Sequence, residues 1–176
     1  MSRLVVIGNA GGGKSTLARK LAKQGDLRHI EIDRLLWQPG WKLTPSEFYD
    51  RQHDEIIQGD NWIIDGLGRQ ASIPRRLKRA TAIVLIDMPL WMHFWLAADR
   101  QVAWATGNLQ NAPGGIAEMP PTKALFQNIW EVEQTWMPDI RILCANGEKD
   151  GKSVIRVSSV DGLTAFDGRK LLVQKS

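Results

Sequence analysis

Apolar positions along the chain follow two patterns, which predict strands and helices in turn. Short, mostly apolar runs predict strands, and the unbroken run at 4–7 predicts a strand that is buried on both faces of a parallel sheet. The runs lie at 4–7, 29–32, 62–66, 81–86 and 153–157. Between them, apolar residues at spacings of three and four predict helices, the first beginning after residue 14 and the others over 44–58, 72–79, 89–105 and 125–136. Strands that alternate with helices predict an α/β fold with helices on both faces of the sheet.

The helix predicted over 89–105 has the most regular apolar stripe, with spacings that alternate between four and three. The stripe consists of Trp91, Trp95, Ala98, Val102 and Ala105. A stripe of this kind is typical of the face that a helix packs against the core. These residues are therefore predicted to be buried, and the two tryptophans are not expected to bind a ligand. Arg100 lies off the stripe, near the end of the helix, where it could reach a phosphate.

Length and composition fit one domain. The 176 residues are 43% hydrophobic and 24% charged, with a formal net charge of +4, which is sufficient for a substantial core. No apolar run approaches the length of a membrane helix. Gly8 comes too early for the core of a signal peptide, so a cytoplasmic protein is predicted. Cys144 is the only cysteine, which excludes an intrachain disulfide and predicts a packed thiol.

The stretch Gly8–Thr16, between the first strand and the first helix, matches the pattern G-x-x-x-x-G-K-[ST]. Its backbone N–H groups are predicted to bind the phosphates of a nucleoside triphosphate, because glycine leaves the backbone unobstructed. Lys14 is predicted to bridge the β- and γ-phosphates, and Ser15 to ligate Mg²⁺. The predicted nucleotide-binding residues are Gly8, Asn9, Ala10, Gly11, Gly12, Gly13, Lys14, Ser15 and Thr16.

Three predicted strands end in a carboxylate, at the edge of the sheet where open α/β folds bind their ligands. Asp33 is a candidate general base, or a ligand to the metal through water, with a turn or helix cap as the alternative. Asp65 is the candidate Walker-B carboxylate that holds Mg²⁺ through its water shell, with an Asp-Gly turn as the alternative. Asp87 ends a third strand, and a single metal does not need a third carboxylate. Asp87 is therefore predicted to be structural and to cap the next helix.

Two further segments are predicted to surround the site: an acceptor-binding insert at 34–61 and a lid-like loop at 106–121. In the insert, Trp37 and Trp41 flank a Pro-Gly turn and either stack on a ligand or close a small core. The basic run 69–79 suits a polyanionic ligand or a solvated helix face. The candidate substrate-binding residues are Asp33, Trp37, Arg69 and Arg76. The histidines at 29, 53 and 93 lack metal-ligand spacing and are predicted to be surface or packing residues.

The order and spacing of these motifs along the chain resemble those of the adenylate-kinase-like branch of P-loop NTPases. Within that branch they resemble the DNA topology modulation or FlaR-type proteins. The resemblance is carried by 8–16, Asp33 with the tryptophans of the insert, 62–66 and 85–89. It implies a three-layer P-loop fold with a five-stranded parallel sheet, ATP and Mg²⁺ on the loop, an acceptor pocket and a short lid. The first functional prediction is thus an ATP-dependent phosphotransferase for a small acceptor, with Lys14, Asp33 and Arg100 as catalytic residues.

The resemblance is incomplete in the region that precedes the lid. Related kinases bring several arginines onto the transferred phosphoryl group, because converging positive charge stabilises the transition state. Here Leu96 takes the place of one arginine, Arg100 keeps the other, and no Lys or Arg lies between Arg100 and Lys123. The alternative prediction is therefore a nucleotide-binding regulatory protein, or a weak ATPase, that affects DNA topology or a protein partner.

Partners are constrained only in part by the sequence. No motif for reading nucleic acid is present, and no membrane partner is predicted. A preference for ATP over GTP rests only on the absence of a guanine-reading N-K-x-D signature. The acceptor and the oligomeric state are left open.

Overall fold

The fold is built on a five-stranded parallel sheet, as predicted. The computed structural model describes residues 2–109, 118–168 and 171. The strands of the sheet are β1 (Arg3–Gly8), β2 (Arg28–Glu31), β5 (Trp62–Asp65), β6 (Ala82–Ile86) and β7 (Ser153–Val157). They lie in the order β2-β5-β1-β6-β7. Between β2 and β5, the antiparallel strands β3 (Trp37–Gln38) and β4 (Lys42–Leu43) form a small ribbon that the sequence did not predict.

Helices cover both faces of the sheet, which gives the three layers that were predicted. Val5 and Ile7 of β1 pack into one apolar cluster and Leu4 and Val6 into the other, because successive strand residues point to opposite faces. The helices are α1 (Lys14–Gly25), α2 (Asp33–Leu36), α3 (Ser46–Gln58), α4 (Ile73–Arg79), α5 (Leu90–Ala105), α6 (Thr122–Thr135), α7 (Met137–Lys149) and α8 (Val160–Ala165). In the described parts of the chain, no helix is long and apolar enough to cross a bilayer.

The apolar stripe of α5 faces solvent, so the prediction that it packs against the core is wrong. Trp91, Trp95 and Val102 are 64%, 70% and 62% exposed, and the buried residues of this helix are instead His93, Ala97 and Gln101. The other face of α5 is buried because it packs directly on the glycine-rich loop between β1 and α1. A Cβ on Gly11 would lie 2.6 Å from the His93 carbonyl oxygen and 3.4 Å from the Ala97 Cβ, so there is no room for a side chain at Gly11, and α5 presents the small Ala97 to it.

The helix predicted over 125–136 is followed at once by a further helix. This helix, α7, runs from Met137 to Lys149 with Pro138 near its start. The proline lies in the first turn of α7, where its missing N–H group removes no intrahelical hydrogen bond.

Asp87 does not cap α5, in contrast to the prediction, although its role is structural. The residue that precedes α5 is Pro89, and no side chain caps the helix. The Asp87 carboxylate instead accepts a hydrogen bond from Arg141 Nε at 2.9 Å and pairs with Arg156 at 3.5 Å. It therefore ties the end of β6 to α7 and to β7.

The thiol of Cys144 lies in the core, as the sequence predicted. Burial raises its pKa to about 11, so at about pH 8 only roughly 0.1% of the thiol would be ionised. Because the thiolate is the reactive form, we expect the native protein to react very slowly with Ellman's reagent, and one equivalent to react at once in denaturant. Rapid reaction of the native protein would contradict the buried placement.

Candidate functional site

The stretch Gly8–Thr16 spans the end of β1, a loop at 9–13 and the first turn of α1, with several N–H groups left for an anion. Gly11 and Gly13 have φ values of +79° and +75°, in the left-handed region that glycine adopts without strain. The first hydrogen bond of α1 runs from the Leu17 N–H to the Gly13 carbonyl at 3.1 Å. The N–H groups of the first helical residues, Lys14 to Thr16, consequently have no intrahelical partner, and the helix N-terminus favours negative charge.

Lys14 lies folded over its own loop. Its ammonium group donates a hydrogen bond of 2.6 Å to the Asn9 carbonyl oxygen, and the residue is only 8% exposed. Burial lowers the pKa of Lys14, while the carboxylates of Asp33 and Asp65 oppose that shift. The lysine predicted to bind phosphate is thus placed beside both predicted carboxylates.

Asp65 reaches the loop from the end of β5. The Ser15 hydroxyl donates to Asp65 Oδ2, which joins the two residues predicted to hold Mg²⁺. The other oxygen, Oδ1, accepts a hydrogen bond from His29 Nε2 at 2.9 Å. Gly66 does turn the chain, with φ at +99°, but the Asp65 side chain is buried toward the loop and takes no part in that turn.

Asp33 is the first residue of α2, and its side chain does not cap this helix. Its Oδ1 accepts a hydrogen bond of 3.1 Å from the Gly68 N–H, in the segment after β5. A Cβ on Gly66 would lie 2.9 Å from Asp33 Oδ2, so the carboxylate lies closely over that glycine. Burial raises the pKa of Asp33, while Lys14 and the Gly68 N–H oppose the shift.

The three predicted arginines occupy different environments. Burial lowers the pKa of Arg100, an effect that the nearby Asp33 opposes, and the Arg100 Nε lacks a partner among the described residues. Arg76 has no exposed surface and donates from Nη2 to the carbonyl oxygens of Gly66 and Leu67, at 3.0 and 3.1 Å. Arg76 therefore fixes the segment that lies under Asp33.

Arg69 holds the insert against the sheet. Its Nη2 donates to the Thr44 carbonyl oxygen, just before α3, and its guanidinium lies 5.6 Å from the centre of the Tyr49 ring. The Tyr49 hydroxyl in turn accepts the Arg69 backbone N–H at 3.2 Å and lies 3.0 Å from the Ser72 hydroxyl. Tyr49 is therefore a central residue of the insert that the sequence did not single out.

Trp37 and Trp41 pack against each other, with ring centres 5.7 Å apart in an edge-to-face arrangement. The Trp41 indole N–H also donates to the Glu118 carbonyl oxygen at 3.2 Å. This bond joins the insert to the segment that precedes α6. Of the predicted lid at 106–121, residues 110–117 lie outside the described residues.

Two histidines contact the candidate site, although their positions in the sequence predicted only surface or packing roles. His29, which contacts Asp65, comes from β2. His93 donates from Nδ1 to the Ala10 carbonyl oxygen at 2.8 Å, and burial lowers its pKa. The one available signal was the spacing of His93, Ala97 and Gln101, which places them on one side of α5, but this set is less apolar than the tryptophan stripe.

The donors fit a nucleotide with its metal. Among the described residues, no group of three His, Cys, Asp or Glu side chains could hold a metal ion alone. A divalent ion beside Ser15 and Asp65 would therefore take further oxygen ligands from phosphates and water, as Mg²⁺ commonly does.

The comparisons with known proteins support the fold. No protein-family model matches the chain, and no curated protein matches it significantly. Among solved structures, a gluconokinase from Sinorhizobium meliloti 1021 is similar, with a TM-score of 0.51 and 15% sequence identity, over 97% of this chain and 87% of that one. At this identity the likeness concerns the fold alone. The chain thus has the α/β architecture of a kinase of known structure, with a glycine-rich loop at the carboxyl end of its first strand.

Proposed function

We propose that the protein is an ATP- and Mg²⁺-dependent phosphotransferase that acts on a small acceptor. The observation that carries this proposal is the arrangement at the loop, where Lys14 is hydrogen-bonded to the Asn9 carbonyl, Ser15 is hydrogen-bonded to Asp65, and the charge of Asp33 acts on Lys14. A cation for the donor phosphates and a carboxylate for the acceptor are the two groups that phosphoryl transfer most needs from a protein. The similarity in fold to a protein named as a gluconokinase agrees with this class.

The loop residues would hold the triphosphate. N–H groups from Gly11 to Thr16 would donate to its oxygens, and Lys14 would exchange its bond to the Asn9 carbonyl for bonds to the β- and γ-phosphates. Bound Mg²⁺ would neutralise phosphate charge, held by Ser15 directly and by Asp65 through water. The Ser15 hydroxyl already donates to Asp65, which leaves the lone pairs of its oxygen for the metal.

Asp33 would accept the proton of the acceptor. As the acceptor oxygen bonds to the γ-phosphorus and the bond to ADP breaks, the O–H proton passes to the Asp33 carboxylate. Gly68 fixes Oδ1 at 3.1 Å, which leaves Oδ2 for this task, and a carboxylate whose pKa burial has raised is a stronger base. Arg100, which attracts Asp33, would stabilise charge on the transferred group.

The acceptor would lie between the ends of β2 and β5 and the insert. Trp37 would form a wall of this pocket. Arg69 and Arg76 would keep the pocket in shape. The Arg69 guanidinium donates to the Thr44 carbonyl oxygen, and the Arg76 guanidinium donates to the carbonyl oxygens of Gly66 and Leu67. Since Arg76 has no exposed surface, we assign it a supporting role without direct contact.

The test is ³¹P NMR of the protein with Mg-ATP, first alone and then with pooled nucleosides, nucleoside monophosphates and phosphorylatable metabolites. A new phosphorylated product that requires Lys14 would support the proposal and identify the class of acceptor. Lys14→Ala is the matched control. ATP that binds yet stays intact with every pool would contradict the proposal.

That second outcome would favour a nucleotide-binding switch. Two observations support this alternative: no Lys or Arg lies between Arg100 and Lys123, and the Asn9 side chain of the loop donates to the Ile129 carbonyl oxygen at 2.8 Å. The hydrogen bond connects the nucleotide site to α6, so nucleotide could alter that helix. A partner would then associate with the ATP-bound and nucleotide-free forms to different extents.

His29 is expected to support metal binding by orienting Asp65. In His29→Phe, which removes the donor, affinity for Mg-ATP should fall by about tenfold, at the low end of the effect of residues that orient metal ligands. Affinity for ATP without Mg²⁺ should not change. Titration calorimetry with Mg²⁺ and with EDTA measures both affinities, and His53→Phe, at a buried histidine that pairs with Asp54, is the control. Equal losses with and without Mg²⁺ would contradict this role.

A further inference from the structure

The outer face of α5 is an apolar seam without a partner in the described structure. The seam consists of Trp91, Trp95, Ala98, Val102 and Ala105. All five residues are exposed, and each of the two tryptophans has about two thirds of its surface in water. Single exposed apolar residues are common on proteins, but a continuous row with two tryptophans is typical of an interaction surface.

The spacing of the seam indicates that its partner is another helix. Successive members are four, three, four and three residues apart, which is the repeat of the contact positions between paired helices. No element in the described part of the chain packs on the seam. The helix α5 packs on the phosphate-binding loop through His93 and Ala97, which lie on its other side.

Charge argues against a membrane surface or a nucleic acid as the partner. Both ligands would require Lys or Arg beside the apolar row. The one cation in α5 is Arg100, whose pKa burial lowers. The exposed charges nearby are acidic: Asp99 on α5 itself, and Glu131 in the groove between α5 and α6.

We propose that the seam binds the seam of a second copy, antiparallel, about a two-fold axis at Ala98. In this arrangement Trp91 lies opposite Ala105 and Ala98 opposite its own copy, while Val102 lies one residue, about 1.5 Å along the axis, from the level of Trp95. Each tryptophan therefore meets a smaller residue. This alternation of large and small allows two helices to pack closely, and a two-fold contact must be self-complementary in this way.

The exposed tryptophans supply a large share of the area that a dimer interface needs. The apolar surface continues into a groove of about 440 Å³ between α5 and α6, which is lined by Phe94, Phe126, Gln127, Trp130 and Glu131. Trp130 is 54% exposed. At on the order of 100–150 Å² each, the two seam tryptophans and Trp130 offer about 300–450 Å² of the roughly 800 Å² that each partner contributes to a typical stable interface.

Sedimentation velocity at protein concentrations from micromolar to hundreds of micromolar tests the dimer. We expect the wild type to dimerise and Trp95→Glu to raise the dissociation constant by roughly 30-fold or more, as for a central tryptophan of an interface. Phe48→Glu is the control, because Phe48 is an exposed apolar residue on α3. A wild type that stays monomeric throughout, or a dimer that Trp95→Glu leaves unchanged, would overturn the proposal.

A second test does not depend on the stability of the charged variant. Ala98→Cys places a thiol at the proposed axis, and a short bis-maleimide should then link two copies. Ala71→Cys, at another exposed alanine, should give no linked dimer above the wild-type level. The native Cys144 does not interfere, because it is buried. Equal linkage of the two variants would exclude an axis at Ala98.

Discussion

Replacing Asp33 by asparagine is expected to abolish phosphoryl transfer while ATP still binds. The amide keeps the size of the carboxylate and can still accept the Gly68 N–H, so the pocket should persist. It cannot accept the acceptor proton, and loss of a general base typically lowers the rate by about 10²- to 10⁴-fold. The rate is measured with the acceptor found by ³¹P NMR, and ATP affinity by calorimetry.

Asp60→Asn is the control for this measurement, because Asp60 is a partly exposed carboxylate that pairs with Arg3. It should keep full activity. If Asp33→Asn lost ATP affinity and turnover in equal measure, Asp33 would be a nucleotide-binding or structural residue, and its assignment as the base would be wrong.

The largest loss of stability is expected for Gly68→Ala. A Cβ at this position would overlap the Tyr49 hydroxyl, which two hydrogen bonds hold in place. The left-handed φ of +63° adds about 1–2 kcal/mol for any residue with a Cβ, and the overlap adds roughly 1–3 kcal/mol or more. Denaturation in urea should show the sum as a fall in the free energy of unfolding.

Gly40→Ala separates the two contributions. Gly40 has a similar φ of +73°, but no atom lies within 4 Å of the position where its Cβ would be. This variant should lose only the backbone cost. Equal losses at the two glycines would show that the Tyr49 contact is easily relieved. Because the Gly68 N–H also binds Asp33, only Gly68→Ala should reduce turnover as well.

Local patterns were sufficient to predict the framework of the site. The short, mostly apolar runs predicted all five strands of the sheet. The signal is clearest for β1, β5 and β6, because a strand buried on both faces contains few polar residues. The order of strand, loop and helix placed Lys14, Asp33 and Asp65 at the same edge of the sheet. The structure brings these three side chains together, as the hydrogen bond of Asp65 and the pKa shift of Lys14 indicate.

Contacts between distant segments could not be predicted in this way. Nothing local distinguishes His29, which binds a carboxylate 36 residues away, from a histidine in solvent. For α5, the spacing showed that Trp91 and Trp95 share a face, but a stripe that meets the core and a stripe that meets another molecule look alike in sequence. Which face is buried depends on the shape of the neighbouring loop.

The side chain of Asn9 limits the sequences that this site can accept. In the motif, position 9 is one of the variable positions, yet here Oδ1 accepts the Ala10 N–H at 2.8 Å and Nδ2 donates to Ile129 at 2.8 Å. Only an amide of this length offers both groups, and the residue has no exposed surface. Two proteins with the same phosphate-binding pattern can therefore differ in whether that loop tolerates exchange at position 9, and here the tolerance is set by a helix 120 residues further along the chain.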